Sequence, residues 1–433
     1  MKVVIMAGGK GTRIASVKSD VPKPMIPICG KPILEWQIEN LKVCGLTDIT
    51  LVIGYLGHVI KEYFGDGEKF GVKISYFVEE SPLGTAGALF KMPELTEDFL
   101  LLCGDVMLDV DFNRFIEFHK KNCAWASLMA HPNSHPYDSS LLVTEILPPQ
   151  IPGGNPVDTH RVVKWIAKED KRLYYKNRIN AGIEIISLEL LKEMMKHFVP
   201  RHPETPNKID LDRDVLKPMI TSGKIFVYDT PEYIKDMGTP DRYYEVEKDF
   251  REGKVKARNL KNKQKAIFLD RDGTINKYVG FLTKPEQFEL LPGVPDAIKI
   301  INKSGYLTIV VTNQPVIARG ECTWEGLELI HDKMETELGK EGAFVDAIYI
   351  CPHHKDKGFE GERLEYKYDC NCRKPKPGLL LQAAVDYNID LSQSFMIGDN
   401  VQDIKAGNKA GCKDSVIIQS AGNLYDVLRS LLQ

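Results

Sequence analysis

Short apolar runs recur along the chain at intervals that alternate with amphipathic stretches. VVIMA (3–7), ITLVIGY (49–55), KISYFVE (73–79) and FLLLCGD (99–105) read as buried strands, since they are too short for helices and rich in aliphatic residues. ILEWQIENLKVCG (33–45) places its apolar residues at helical spacing and ends on glycine, which predicts a helix with a defined stop. Strands alternating with helices predict a mostly parallel α/β sheet. The second half repeats this grammar with AIFLD (266–270), LTIVVTN (307–313), AIYIC (347–351) and SFMIGD (394–399), and with a helix at GLLLQAAVDYN (378–388). Three of these four strands run directly into a polar functional residue. No internal repeat relates the halves, so two different α/β units are expected. Between them, DFREGKVKARNLKNKQK (249–265) is charged, mostly basic and poor in large apolar side chains; it reads as a solvated helix end and linker rather than a phosphate-attracting arm. The expected division is 1–247, a basic linker 248–264, and 265–433.

Composition narrows the partners. The 433 residues, 43% apolar and 27% charged with a net charge of −3, fit a soluble protein of two or three domains. Nothing in the balance suggests nucleic acid or a membrane; anionic small molecules remain suitable if positive charge is local. Gly8 and Gly9 interrupt the first apolar run, so no signal peptide is expected. No stretch approaches the ~18 apolar residues of a membrane helix, and a cytoplasmic chain with reduced cysteines is expected. The oligomeric state stays open, a homo-oligomer included.

AGGKGTR (7–13) follows the first strand. Its glycines let backbone N–H groups approach phosphate, and Arg13 can grip phosphate oxygens. It is neither the dinucleotide fingerprint nor a Walker loop. In SDVPKPMIPICGKPIL (19–34) Lys23 sits between prolines that stiffen the segment. SPLGTAGAL (81–89) is a second glycine-bearing loop, suited to a flat base. LLCGD ends a strand on Asp105, where a carboxylate can hold Mg²⁺. RINAGIEII (178–186) and EYIKDMGTPDRYY (232–244) follow in order. This set resembles the sugar-phosphate nucleotidyltransferases over about residues 1–245. The resemblance implies a Rossmann-like domain in which a sugar 1-phosphate attacks the α-phosphorus of a nucleoside triphosphate and pyrophosphate leaves. By resemblance, Gly8, Gly9, Gly11, Thr12 and Arg13 line the triphosphate and Lys23 neutralises the reacting phosphates. Gly84, Thr85 and Gly87 form the base pocket, Asp105 and Asp236 share Mg²⁺, and Asn180 and Gly182 touch the sugar. Lys168 aligns with the lysine of the family's Glu-Lys-Pro, where this chain reads AKED (167–170), so Ala167 replaces the glutamate that usually meets sugar hydroxyls. HPNSHPYDSSLLVTE (131–145) resembles the heptose and mannose guanylyltransferase branch.

FLDRDGTIN (268–276) sets Asp270 and Asp272 two apart after a strand. VVTNQ brings Thr312, CRKPKPG brings Lys374, and IGDNVQD brings Asp399 and Asp403. Turn chemistry alone does not produce all four in this order. The pattern resembles the haloacid-dehalogenase (HAD) phosphatase superfamily across about 265–433, which implies a HAD-like Rossmannoid domain. By resemblance Asp270 is the nucleophile and Asp272 the acid and base. Thr312 and Lys374 hold the phosphoryl oxygens. Asp399 joins Asp270 and the Asp272 carbonyl in a Mg²⁺ site, with Asp403 behind it.

No stretch between these motifs is long enough for a large cap. Instead CPHH (351–354) and CNC (370–372) offer Cys351, His353, Cys370 and Cys372, a Cys₃His set suited to structural Zn²⁺ stapling a polar loop; His354 could replace His353. With CRKPKPG and VIARG (316–320), this loop resembles the heptose-bisphosphate phosphatase group, close to histidinol phosphatases. Where that family reads Asn-Gln-Ser/Ala-Gly-Ile, this chain has NQPVIARG (313–320).

The two resemblances fit consecutive steps: removal of the 7-phosphate from D-glycero-D-manno-heptose 1,7-bisphosphate, then guanylyl transfer from GTP to heptose 1-phosphate. The ADP-heptose route resembles a different nucleotidyltransferase marked by His-x-Gly-His, which is absent here. The transferase part resembles that of the GDP-heptose route, which uses the α anomer of the 1-phosphate, and this resemblance implies GDP-D-glycero-α-D-manno-heptose as the product. A mannose 1-phosphate guanylyltransferase fused to another phosphatase, or a nucleotide-sugar sensor with one inactive domain, stay open as alternatives.

Overall fold

The structure, a computed structural model, describes residues 1–9, 21–201, 204–418 and 422–432. The chain forms two compact units. Unit one comprises Met1–Ala130, His160–Trp165 and Asn180–Asn259; unit two comprises His131–Thr159, Ile166–Ile179 and Leu260–Gln433. Among the described residues no helix is long and apolar enough to cross a membrane.

Unit one is built on a mixed sheet. Its parallel part is β1 (Lys2–Met6), β2 (Asp48–Ile53), β3 (Lys73–Val78) and β4 (Phe99–Cys103), with β1 between β2 and β4. Val3, Val4 and Ile5 are fully buried, as a strand covered on both faces requires. β5 (Val106–Asp109) leaves this sheet to pair antiparallel with a later strand. Helix α1 (Ile33–Val43) buries Leu34, Ile38 and Leu41. Its Gln37, also fully buried, donates to the Cys103 and Val106 carbonyls at 2.9 and 2.6 Å, clamping the turn that carries Asp105. β6 (Ala126–His131), β8 (Val157–Ile166), β9 (Ile179–Ile186) and β10 (Ile225–Asp229) follow, while β7 (Leu141–Leu147) falls in unit two; β9 lies antiparallel beside β4, and β10 parallel to β6. β11 (Tyr233–Asp236) pairs with β5, opposing Asp236 to Val106.

The segment expected as a solvated linker is instead packed. α2 (Pro240–Arg251) and α3 (Lys254–Ala257) occupy it. Val255, Arg258 and Asn259 are buried, and Asn259 donates to Asp109 at 2.6 Å. Lys256, Lys261 and Lys263 are exposed, while Val255 and Leu260 are buried.

Unit two holds a five-stranded parallel sheet in the order β14-β13-β12-β15-β16, formed by β12 (Lys265–Leu269), β13 (Tyr306–Asn313), β14 (Ala347–Cys351), β15 (Phe395–Gly398) and β16 (Asp414–Ile417). Helices α4 (Val294–Asn302), α5 (Trp324–Lys340), α6 (Gly378–Asp386) and α7 (Val401–Ala410) accompany it. The strand ends at 269, 313 and 398 point the same way, so the residues just beyond them converge at the sheet's C-terminal edge. Two segments from the first 247 residues group here. The Tyr175 N–H donates to Thr336 Oγ1 at 2.9 Å and the Asn177 N–H to Glu335 at 2.6 Å, both on α5. A Cβ on Gly339 would meet Pro136.

Candidate active sites

In unit one a cleft of about 790 Å³ is lined by Gly8, Gly9, Lys23, Gly84, Thr85, Cys103 and Asp105, with Tyr55, Glu79 and Lys208. Gly11, Thr12 and Arg13 lie outside the described residues. Lys23 starts a short 3-10 turn, Lys23–Met25, after the extended Pro22, so the flanking prolines aim its ammonium at Asp105, with which it forms an ion pair. Asp236 comes close through strand pairing: the Met237 N–H donates to the Asp105 carbonyl at 3.1 Å. Burial pushes the Asp236 carboxyl up, but Arg242 at 2.5 Å, the Gly238 N–H and Lys23 outweigh it and hold it below the usual range. A carboxylate in the turn before β5 and another at the end of its partner β11, beside a lysine, fit a cation and a phosphate.

The 84–87 loop is seated on the 207–211 backbone. Thr85 Oγ1 accepts from the Leu211 N–H at 2.7 Å, and a Cβ at Gly84 or Gly87 would strike Ile209 O or Asn207 O. Gly84 and Thr85 face the cleft, whereas Gly87 is spent on packing and does not line it. Asn180 sits 3.4 Å from Glu184 and 3.5 Å from Asp212; burial pushes these carboxyls up to about 8 and about 6. Gly182 donates to Asn180 at 3.3 Å. Neither is a lining residue of the cleft. Lys168 is not gathered with this set. It belongs to unit two, more than half exposed, 3.7 Å from Asp138. Glu79 was not singled out from sequence. One oxygen accepts from the Leu83 N–H at 3.2 Å and the other faces Gly8 and Gly54.

In unit two the motif residues meet. Lys374, 2% exposed, lies 2.8 Å from Asp270 and 2.7 Å from Asp403, and donates to the Val311 carbonyl at 2.8 Å. Carboxylate oxygens of Asp270, Asp399 and Asp403 lie within 4.8 Å of one another. Gly273, at φ +85°, permits this: a Cβ there would meet Asp399 Oδ2 at 2.0 Å. Asp403, expected behind the site, holds Lys374 with one oxygen and accepts from the Asn400 N–H at 3.0 Å with the other, so the capping box of α7 also fixes the lysine. Burial pushes Asp270 up, to about 7, against the pull of Lys374.

Asp272 is tied elsewhere. Arg271 grips it at 2.7 Å, and Asn276 and Gln314 donate at 3.0 and 2.8 Å. Burial raises it, but these partners, Arg271 foremost, hold its carboxyl low. Its carboxylate is outside the acidic cluster. Gln314 also donates to Thr312 Oγ1 at 2.8 Å. Arg271 itself has no exposed surface and donates to His331 Nε2 at 3.0 Å. Sequence reasoning missed Arg271, Gln314 and His331; the TNQ run was the one available signal.

Cys351, His353, Cys370 and Cys372 form a second cluster. The three Sγ atoms are 3.2–3.5 Å apart and His353 Nδ1 is 3.1 Å from Cys372 and 3.6 Å from Cys351. All nine cysteines are free. These separations exceed the ~2.05 Å of a disulfide and approach the ~3.7 Å edge of a tetrahedron with 2.3 Å zinc–sulfur bonds. His353 is the member of the pair that joins the cluster; His354 turns to Asp356.

Comparison with known proteins finds a family for each part of the chain. The nucleotidyl transferase family model matches residues 2–253, and a HAD-hydrolase-like model matches 371–420. D-glycero-β-D-manno-heptose-1,7-bisphosphate 7-phosphatases are similar to the C-terminal part. That of Haemophilus influenzae is 44% identical over 36% of this chain and 82% of its own length; that of Escherichia coli K12 is 40% identical over 36% and 79%. The chain belongs to the nucleotidyl transferase family and, through its C-terminal part, to that of these phosphatases. We call unit one's site the transferase site and unit two's the phosphatase site. The structure of HddC from Yersinia pseudotuberculosis complexed with GMP-PN is also similar, 27% identical over 57% of this chain and 99% of that one, with a TM-score of 0.45.

Proposed function

We propose that the chain is a bifunctional enzyme that removes the 7-phosphate of heptose 1,7-bisphosphate and transfers a guanylyl group from GTP to the heptose 1-phosphate so formed, giving GDP-D-glycero-α-D-manno-heptose. The observation that carries this reading is the presence of both families in one chain, since the sugar 1-phosphate left by the relatives' reaction is the acceptor type of the other family. The curated relatives are named for the β anomer; the nucleotidyl transferase partner is the reason for assigning the α anomer here.

At the phosphatase site Asp270 is the nucleophile. Its oxygen attacks phosphorus, the sugar oxygen leaves with a proton from Asp272, and water then cleaves the acyl phosphate with Asp272 as base. Arg271 favours the carboxylate this second step needs, and the proton Asp272 takes from water there is the one it gives to the leaving sugar oxygen in the next turnover. Lys374 and Thr312 hold phosphoryl oxygens. Asp270, Asp399 and the Asp272 carbonyl would hold Mg²⁺, which would neutralise the approach of a carboxylate to a phosphate dianion; the converging carboxylates fit that ion. At the transferase site Lys23, with Arg13 and the glycine loop, neutralises the phosphates while the sugar phosphate attacks. Asp105 and Asp236 would hold its Mg²⁺. Asn180 and Gly182 are assigned to the sugar. Glu79 supplies an acceptor where guanine presents its N1–H and 2-amino donors. Cys351, His353, Cys370 and Cys372 would hold a structural Zn²⁺, which would staple the loop between them. The working domains are 1–247 and 265–433.

The test is incubation with GTP, Mg²⁺ and each anomer of heptose 1,7-bisphosphate, following phosphate and GDP-sugar. Formation of both products from the α anomer is expected. GDP-sugar from mannose 1-phosphate alone would favour the mannose reading, and no turnover at either site would favour a sensor.

A further inference from the structure

The metal clip is not closed by the phosphatase sequence alone. The loop 148–156 between β7 and β8, inside the region matched by the transferase model, packs in unit two against the clip. His353 presents Nδ1 to the sulfurs, so its Nε2 carries the proton and needs an acceptor. That acceptor is the Gly153 carbonyl at 2.7 Å, with the Tyr368 hydroxyl at 2.8 Å. Outer partners of this kind fix the tautomer and angle of a ligating imidazole. Gly153 is buried at φ +75°, and a Cβ there would lie 2.2 Å from Glu365 O and 2.9 Å from the Tyr368 ring. No other residue can bring its carbonyl to this place without moving the 354–369 loop. Two positions on, Asn155 donates to the Ile350 carbonyl at 3.2 Å, on the edge strand that leads into Cys351. The loop thus holds two ligand-bearing segments at once.

We propose that loop 148–156 is a positioning element of the phosphatase: through Gly153 and Asn155 it locks His353 and Cys351, and through them the run that carries Lys374. The link onward is short. Arg373 donates to the His353 carbonyl at 2.9 Å and its N–H to Cys370 Sγ at 3.3 Å, and the next residue is Lys374. A stretch of transferase sequence would then set metal retention in the phosphatase, a dependence that a phosphatase lacking such a loop cannot have. The proposal rests on the zinc reading above.

The experiment compares full-length wild type with Gly153→Val and Asn155→Ala, measuring zinc per chain, the rate of zinc release to a chromogenic chelator, and both activities. Gly153→Val is expected to release zinc about tenfold faster or more, and to lose phosphatase kcat in parallel while GDP-sugar synthesis from heptose 1-phosphate is unchanged. Asn155 is exposed and its loss leaves no clash, so that variant folds even if Gly153→Val does not; about threefold faster release is expected for one lost hydrogen bond. In the cobalt-substituted protein the thiolate charge-transfer and ligand-field bands should shift in Gly153→Val, which a general loss of stability would not cause. Wild-type release rates in Asn155→Ala and in any folded Gly153→Val would overturn the proposal. Wild-type protein that holds no zinc would instead overturn the zinc reading.

Discussion

The phosphatase site buries its lysine between carboxylates, whereas the transferase site is an open cleft. Lys374 and Asp403 have side chains 2% exposed, and Lys374 is held by two carboxylates and a carbonyl. Asp105 and Asp236 expose 35% and 44% of their side chains beside a cleft of about 790 Å³. The difference follows the chemistry proposed for each. A carboxylate that must attack phosphorus has to be fixed beside its cation before substrate arrives, because each misplaced charge there is buried. A transfer between two bound substrates needs room for both, and its cations act by position. The phosphatase should therefore fail sharply when one member is removed, and the transferase more gradually.

The largest effect is expected from Asp270→Asn. It should lower phosphate release roughly 10⁴-fold or more, as losses of catalytic nucleophiles do, while GDP-sugar synthesis from supplied heptose 1-phosphate persists. Loss of both activities in a folded variant would break the separation of the two sites. Next, Lys23→Ala should slow guanylyl transfer on the order of a hundredfold and leave phosphatase activity intact. A near-wild-type transfer rate would remove Lys23 from its role. Third, Cys372→Ser should reduce zinc content and lower phosphatase activity about tenfold or more, with transferase activity retained. Full phosphatase activity without zinc would reduce these cysteines to core residues.

What was legible in the sequence was what side chains carry. Apolar runs ending in aspartate marked β4, β12 and β15, and the strands fall within a residue or two of the expected spans. Asp105 and Asp236 were joined only by resemblance; the β5–β11 pairing that brings them together has no local signature. Arg271 beside Asp272 looks like an ordinary surface arginine until its burial is seen. The grouping of 131–159 and 166–179 with the C-terminal part was invisible for a plainer reason. Several of its contacts use the Gly153 carbonyl and the Tyr175 and Asn177 N–H groups, backbone atoms that leave little mark on the sequence. Lys168, aligned by its neighbours with a sugar-phosphate lysine, lies in one of these segments.

The smallest effect separates the units by pH. Each buries a histidine. His331 in unit two is pushed down to about 3 by burial and by Arg271, with Asp272 opposing. His119 in unit one is also lowered by burial, but Asp98 at 3.4 Å partly restores it. A histidine whose folded pKa lies below its unfolded value near 6.5 binds a proton on unfolding at lower pH. Its contribution to stability is complete above pH 6.5 and is lost as pH falls below it, by at most about 1.4 kcal/mol per pH unit for one group. For His331 this loss continues toward pH 3; for His119 it stops sooner. His331→Gln keeps an acceptor for Arg271 and removes the titration. Between pH 6.5 and 4 the full-length variant should therefore lose less stability to unfolding of unit two than wild type, while His119→Gln should show a smaller change. Denaturant midpoints measured across that range, with both activities following each unit, would decide it. Parallel curves for wild type and His331→Gln would show that the Arg271–His331 contact carries no proton-linked stability.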